Sequence, residues 1–177
     1  MVKYNLSESE LKNLLLKFPQ LHAAEGRMQR VATLINKAQI FIDFAHSPDA
    51  LENVLKLARK ITQGRVLVLF GCGGNRDAKK RPIMGEIASN LADLVIVTDD
   101  NPRQEEPKAI RAEILQGCDQ KKVVEIDNRK VAIEKAIKML QDHDILILAG
   151  KGHEKYQIIG DKKFEFDEEK IVKDAII

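Results

Sequence analysis

Leu94-Val95-Ile96-Val97, followed at once by Thr98-Asp99-Asp100-Asn101-Pro102-Arg103, decides the fold. Four consecutive apolar residues, three of them β-branched, read as a strand buried on both faces. Such strands belong to parallel sheets covered by helices. The polar residues after it then lie at the carboxyl end of a parallel strand, where open α/β sheets bind their ligands. The loop holds carboxylates, an amide, a rigid proline and a guanidinium. Arg103 offers a planar fork for a carboxylate, and Asp100 a partner for an amine. Together they outline an amino-acid-binding loop. A turn begun by Asn-Pro would explain Asn101 and Pro102, but not Asp99, Asp100 and Arg103.

The same pattern repeats outward from this point. Ile40–Phe44, Val66–Phe70, Val123–Ile126 and Ile145–Ala149 read as further strands, and 48–61, 82–91, 107–115 and 130–140 as helices between them. Pro82 suits a first helical turn. A polar hairpin around Gly160-Asp161 and a terminal helix carrying Ile171, Val172 and Ile176 close the chain. Residues 1–25 read as a helix with Leu11, Leu14, Leu15 and Phe18 on one face, ended or bent by Pro19. The expected architecture is α/β: a Rossmann-like, doubly wound, mostly parallel sheet of about six strands with helices on both faces. Right-handed crossovers place every strand-end loop on one rim.

Composition narrows the function. The 177 residues are 44% hydrophobic and 32% charged, which suits a folded domain with its own core. A net charge of +2 and 5% aromatics, with no basic stripe, argue against nucleic acid or an anionic membrane as partner. Cys72 and Cys118 are too few and too far apart for a disulfide framework or a zinc quartet. No apolar span or secretory segment stands out, so the cytoplasm is the expected location.

Three more loops carry unusual residues. In Asp43-Phe44-Ala45-His46-Ser47-Pro48, the carboxylate could accept two ribose hydroxyls and the imidazole could pack on a base. Equally, Ser47 or Asp49 caps the next helix and His46 is merely exposed. In Gly71-Cys72-Gly73-Gly74-Asn75-Arg76-Asp77, glycines permit close backbone approach and Arg76 adds an anion contact. Lys79, Lys80 and Arg81 make that loop basic, and a tight turn with a solvated charge run is the plainer alternative. The order is neither G-x-G-x-x-G nor a P-loop. Cys72 has no neighbouring base and reads as a filler, not a nucleophile. Ala149-Gly150-Lys151-Gly152-His153-Glu154 lacks a second histidine at zincin spacing, so no metal is expected. Glu154 could take the amine of a zwitterion opposite Arg103, unless the loop is simply mobile and exposed. Polar, glycine-bearing loops gathered on one rim point to a small polar ligand.

These segments, with Gly26-Arg27-Met28-Gln29-Arg30-Val31 and Lys80-Arg81-Pro82-Ile83-Met84-Gly85, resemble in register the C-terminal part of the Mur ligases, in particular their tripeptide-forming branch. The resemblance runs from about Gly26 to the end. It implies cytoplasmic peptidoglycan synthesis, in which ATP and Mg²⁺ drive the joining of an amino acid to UDP-N-acetylmuramoyl-L-alanyl-D-glutamate through an acyl phosphate. It also implies that Asp100, Asn101, Pro102 and Arg103 recognise the incoming amino acid, with Arg76, Gly150 and Glu154 completing the pocket. The Asp-Asn-Pro-Arg sequence looks like the version for meso-diaminopimelate, whose far carboxylate L-lysine lacks. Arg27, Asp43 and His46 would lie on the ATP side, with Gly26–Val31 as the hinge of closure.

The family pattern is also incomplete here. No P-loop occurs, and the N-terminal UDP-binding domain has no counterpart. The expected division is residues 1–25 as a helical remnant of the central ATPase domain and 26–177 as the C-terminal amino-acid-binding domain. ATP and Mg²⁺ would then be held mainly by the central domain, in cis or in trans, and the chain alone would be inactive. The family relation implies a monomer. A stand-alone small-molecule-binding or regulatory module that has lost ligase activity is the alternative.

Overall fold

Leu94–Val97 is a strand, and it sits inside the sheet that its apolar run requires. The computed structural model describes residues 25–176, so the helix expected over residues 1–25 lies outside the described residues. The elements are β1 (Gln29–Thr33), β2 (Gln39–Asp43), α1 (Pro48–Ile61), β3 (Val66–Phe70), α2 (Lys80–Leu91), β4 (Leu94–Val97), α3 (Pro107–Leu115), β5 (Val123–Glu125), α4 (Arg129–Lys138), β6 (Ile145–Ala149), β7 (Tyr156–Ile159), β8 (Lys162–Glu165) and α5 (Glu168–Ala175). Six strands form one sheet in the order β1-β2-β6-β3-β4-β5. β1 is antiparallel to β2, and every other pairing in that sheet is parallel.

Alternate residues of the strands feed two cores. Val66, Val68, Phe70, Val95, Val97, Ile145 and Ile147 pack under α1, α2 and α3. Leu67, Leu69, Ile96, Leu146 and Leu148 pack under α4 and α5 on the other face. All residues of β3 and β6 are buried, as continuous apolar runs demand. Each such side chain contributes about 1.5–3 kcal/mol of burial. Local signals agree: Ser47, Asn128 and Asp167 cap α1, α4 and α5 through their side-chain oxygens.

β1 departs from the expectation. Gly26–Val31, read as a hinge, is strand from Gln29 onward and pairs with β2 through a bulge between Arg30 and Ala32. Its polar, half-exposed sequence suits an edge strand, and period-2 patterning is weak in such a strand.

The registers bring the loops together. Asp43 lies opposite Ala149, Leu69 opposite Leu148, and Phe70 opposite Val97. β2, β6, β3 and β4 therefore end at one level. β2 and β3 lead to helices on one face, while β6, between them, leads toward α5 on the other. That reversal opens a crevice at the strand ends.

Candidate functional site

The crevice is a cavity of about 280 Å³. Of the residues expected at a site, His46, Arg76, Asp100, Asn101, Arg103, Gly150 and Glu154 line it. Pro102, Arg27 and Asp43 do not. Phe44, Gly71, Cys72, Gly73 and Lys80 complete the lining, outside the expected set.

Asn101 joins three segments. Its Oδ1 accepts from Lys151 Nζ at 3.0 Å and from the Ile158 amide at 2.9 Å, and its Nδ2 donates to Glu154 Oε2 at 3.1 Å. Its carbonyl accepts from the Gly74 amide at 2.9 Å. Every polar group of the side chain is thus used within the protein, so Asn101 shapes the pocket more than it is free to grip a ligand. Tyr156 donates its hydroxyl to the other Glu154 oxygen at 3.3 Å.

The β7–β8 hairpin clamps the loop after β4. The Arg103 amide donates to Ile158 O at 3.1 Å, and the Gly160 amide donates to Arg103 O at 2.7 Å. Gln157 Nε2 donates to Asp100 O at 2.6 Å. The clamp holds Arg103 at a φ of +53°, a conformation L residues adopt reluctantly. Its guanidinium donates to the carbonyls of Gly74 at 2.8 Å and Asn101 at 3.4 Å. Close approach explains the glycines: a Cβ on Gly71 would sit 2.2 Å from Thr98 O, and one on Gly74 1.9 Å from Pro102 O. Gly150, at φ +114°, leaves room for the Asp100 carboxylate, which a Cβ would crowd at 2.9 Å.

The flanking charges have structural partners. Asp99 pairs with the buried Arg111, which also binds Glu125 at 2.7 Å. Burial raises the Asp99 carboxyl above its ordinary range against the pull of Arg111. The basic run at 79–81 is only partly solvated. Arg81 is buried and pairs with Glu105 at 2.8 Å and Glu113 at 2.9 Å, and Lys80 donates to His46 O at 2.6 Å. A guanidinium with two carboxylates in reach tolerates burial that a lone cation would not.

At the upper rim, Asp43 accepts from the amides of Met28 at 2.7 Å and Ala45 at 2.8 Å. Both carboxylate oxygens hold backbone, and the residue is buried. Arg27 lies 5.0 Å from the Phe44 ring centroid, and the His46 and His153 rings lie 4.5 Å and 5.4 Å from it. Nothing in the sequence marks Phe44, because one aromatic in a loop has no period to flag it. Lys151, likewise unmarked in the sequence, is fully buried, and burial pulls its ammonium below the ordinary lysine range. Burial pushes the Cys72 thiol up to about 12, which removes its nucleophilic form at neutral pH. Among the described residues no cluster of His, Cys, Asp and Glu is placed to hold a metal ion, and no helix is long and apolar enough to cross a membrane.

Beside the Lys80 ammonium, which is held by the His46 carbonyl, the cavity therefore contains two carboxylates, Asp100 and Glu154, and two guanidiniums, Arg76 and Arg103. None of the four is in an ion pair within the described residues; their polar contacts are with amides, carbonyls and a hydroxyl. Free charges of both signs facing one small space suit a ligand that is itself a zwitterion.

The family model described as Mur ligase, glutamate ligase domain, matches residues 26–152, which span the six-stranded sheet and its strand-end loops as far as Gly152. The chain belongs to this Mur ligase family. A relative from Rickettsia bellii, named UDP-N-acetylmuramoyl-L-alanyl-D-glutamate--2,6-diaminopimelate ligase, is 52% identical over 92% of this chain and 33% of its own length. Another of the same name, from Mesorhizobium japonicum, is 51% identical over 92% of this chain and 33% of its own. This Mur ligase domain thus spans about a third of the length of the curated relatives it matches. A solved structure of a UDP-N-acetylmuramoyl-L-alanyl-D-glutamate--2,6-diaminopimelate ligase superposes with a TM-score of 0.82 at 40% identity, covering 94% of this chain and 34% of that one. The likeness extends the Mur ligase assignment past the matched segment to most of the chain.

Proposed function

We propose that residues 26–177 are the C-terminal domain of an ATP-dependent ligase and bind its incoming amino acid, meso-2,6-diaminopimelate, for addition to UDP-N-acetylmuramoyl-L-alanyl-D-glutamate. The observation that carries this is the quartet of unpaired charges in one cavity. The relatives' names supply the substrate that fits it. Arg76 and Arg103 take the far carboxylate, and Asp100 and Glu154 take the ammonium at the same end. Pro102 and Gly150 shape the space, and Asn101 orients Glu154. The other end of the molecule then points its amine out of the cavity toward the activated carboxyl of the acceptor. Positioning of this kind contributes up to about 7–11 kcal/mol in ideal systems. L-Lysine carries the ammonium but not the carboxylate, so it leaves both guanidiniums unanswered.

ATP belongs at the Phe44–His46 end of the same cavity. Arg27, Phe44 and His46 form a cationic and aromatic edge suited to a nucleotide, and Asp43 supports it through Met28. In this reading the Mg²⁺ and the phosphate cradle belong to the remaining domains, of which residues 1–25 are a remnant. In this reading the domain works as a monomeric unit with those domains and is inactive without them.

A hybrid enzyme tests the reading. Residues 26–177 placed in the Rickettsia bellii relative, in place of the corresponding third, should give a ligase that adds meso-diaminopimelate in preference to L-lysine. A hybrid that prefers L-lysine would overturn it.

A further inference from the structure

Lys151 is 0% exposed, yet among the described residues its ammonium makes no ion pair. It donates to Asn101 Oδ1 at 3.0 Å and to Tyr156 O at 2.7 Å, and sits 5.8 Å from the Phe166 ring centroid. Burying a cation on neutral acceptors is costly. An apolar side chain would fill the same space without that cost, so packing does not account for a lysine here.

What the ammonium does is visible in its contacts. By taking one face of Asn101 Oδ1, with the Ile158 amide on the other, it fixes the rotation of the Asn101 amide. The Nδ2 end must then point at Glu154 Oε2. By taking Tyr156 O it fixes the start of β7, whose Tyr156 hydroxyl holds the second oxygen of Glu154. Both supports of the Glu154 carboxylate therefore trace back to one buried cation. Asp100 is the negative charge that acts on it most strongly, and its carboxylate shares the cavity with Glu154.

We propose that Lys151 is a positioning residue for the ammonium-binding side of the pocket. It touches no ligand; it orients Glu154 through Asn101 and Tyr156, and its charge balances Asp100 when the pocket is empty. This rests on the reading of the cavity as an amino-acid site. A merely structural lysine, stapling the hairpin to the loop, would serve all ligands alike. A positioning lysine should serve only those with an ammonium at the far end.

The test is titration of the full chain and its Lys151→Met variant with meso-diaminopimelate and with 2-aminopimelate, which keeps both carboxylates but lacks the far amine. Lys151→Met should weaken meso-diaminopimelate about 10-fold, the scale of a misdirected charged hydrogen bond, and 2-aminopimelate less than about 2-fold. Equal weakening of both ligands, or of neither, would overturn the positioning role alone. A wild-type chain that binds neither would overturn the reading of the cavity and the role with it. Should Lys151→Met not fold, the ¹⁵N resonance of Lys151 Nζ in the wild-type chain decides. It should move with meso-diaminopimelate and stay with 2-aminopimelate, and movement with both or with neither would overturn the proposal.

Discussion

Arg103 and Gly74 are locked together across the crevice: the guanidinium donates to the Gly74 carbonyl at 2.8 Å, and a Cβ on Gly74 would stand 1.9 Å from the oxygen of Pro102, next to Arg103. The loops after β3 and β4 thus meet backbone to backbone. Gly74→Ala should force them apart, destabilise the domain by about 1–3 kcal/mol as overpacking does, and weaken ligand binding at least as much. Thermal unfolding with a parallel titration checks this. An alanine variant with native stability and affinity would mean that the loops are not in contact.

Arg103→Ala should separate binding from folding. The Arg103 backbone keeps its bonds to Ile158 and Gly160, and the lost side-chain bonds go to carbonyls at a half-buried position. Loss of the charged partner of a ligand carboxylate costs about 2–5 kcal/mol in comparable cases. Affinity for meso-diaminopimelate should fall at least about 30-fold, with a melting temperature close to wild type. Unchanged affinity in calorimetry would remove Arg103 from the site.

That Arg76 and Arg103 line the cavity was legible in the sequence, because each follows an unmistakable buried strand and strand-end loops gather on one rim. The same reasoning gave Asp100 an amine to pair with but left Asp99 without a partner. Adjacent residues at a strand end point to opposite sides, and Asp99 faces Arg111 of α3, a partner twelve residues away that no local pattern announces. Lys151 escaped for a related reason. Sequence reading treats a lysine between glycines as exposed, whereas here the close approach those glycines allow buries it. The helices and the parallel core strands followed from periodicity and apolar runs. β1 did not, since an edge strand needs neither.

Asp144, at the opposite rim, sets part of the acid stability. Its carboxylate accepts from Arg65 Nη2 at 2.6 Å and from the amides of Arg65 and Gln141 at 2.8 Å each. Burial raises its pKa, but the bonds from Arg65 and Gln141 outweigh burial and hold the carboxyl below its usual range. A folded pKa below the unfolded one means stability that is present above about pH 4 and lost as pH falls through the folded value. Asp144→Asn should cost about 2 kcal/mol at pH 7 and less at pH 2.5. Denaturant unfolding at the two pH values measures it, and a penalty independent of pH would contradict the ionic role.

Cys72 lines the cavity but should not react. With its thiol pushed up to about 12 by burial, iodoacetamide at pH 8 should leave Cys72 unmodified in the folded chain and label it in urea. Mass spectrometry of the labelled peptides reads both states. Rapid labelling of the native chain would mean that the floor of the cavity is open.

Titration of the ¹⁵N-labelled chain with meso-diaminopimelate, and separately with L-lysine, puts the charge quartet itself to the test. Saturable shifts at Arg76, Asp100–Arg103 and Glu154 with meso-diaminopimelate and none with L-lysine are expected. Equal shifts with both ligands would show that the guanidiniums do not read the far carboxylate, and the assignment of the pocket would fall.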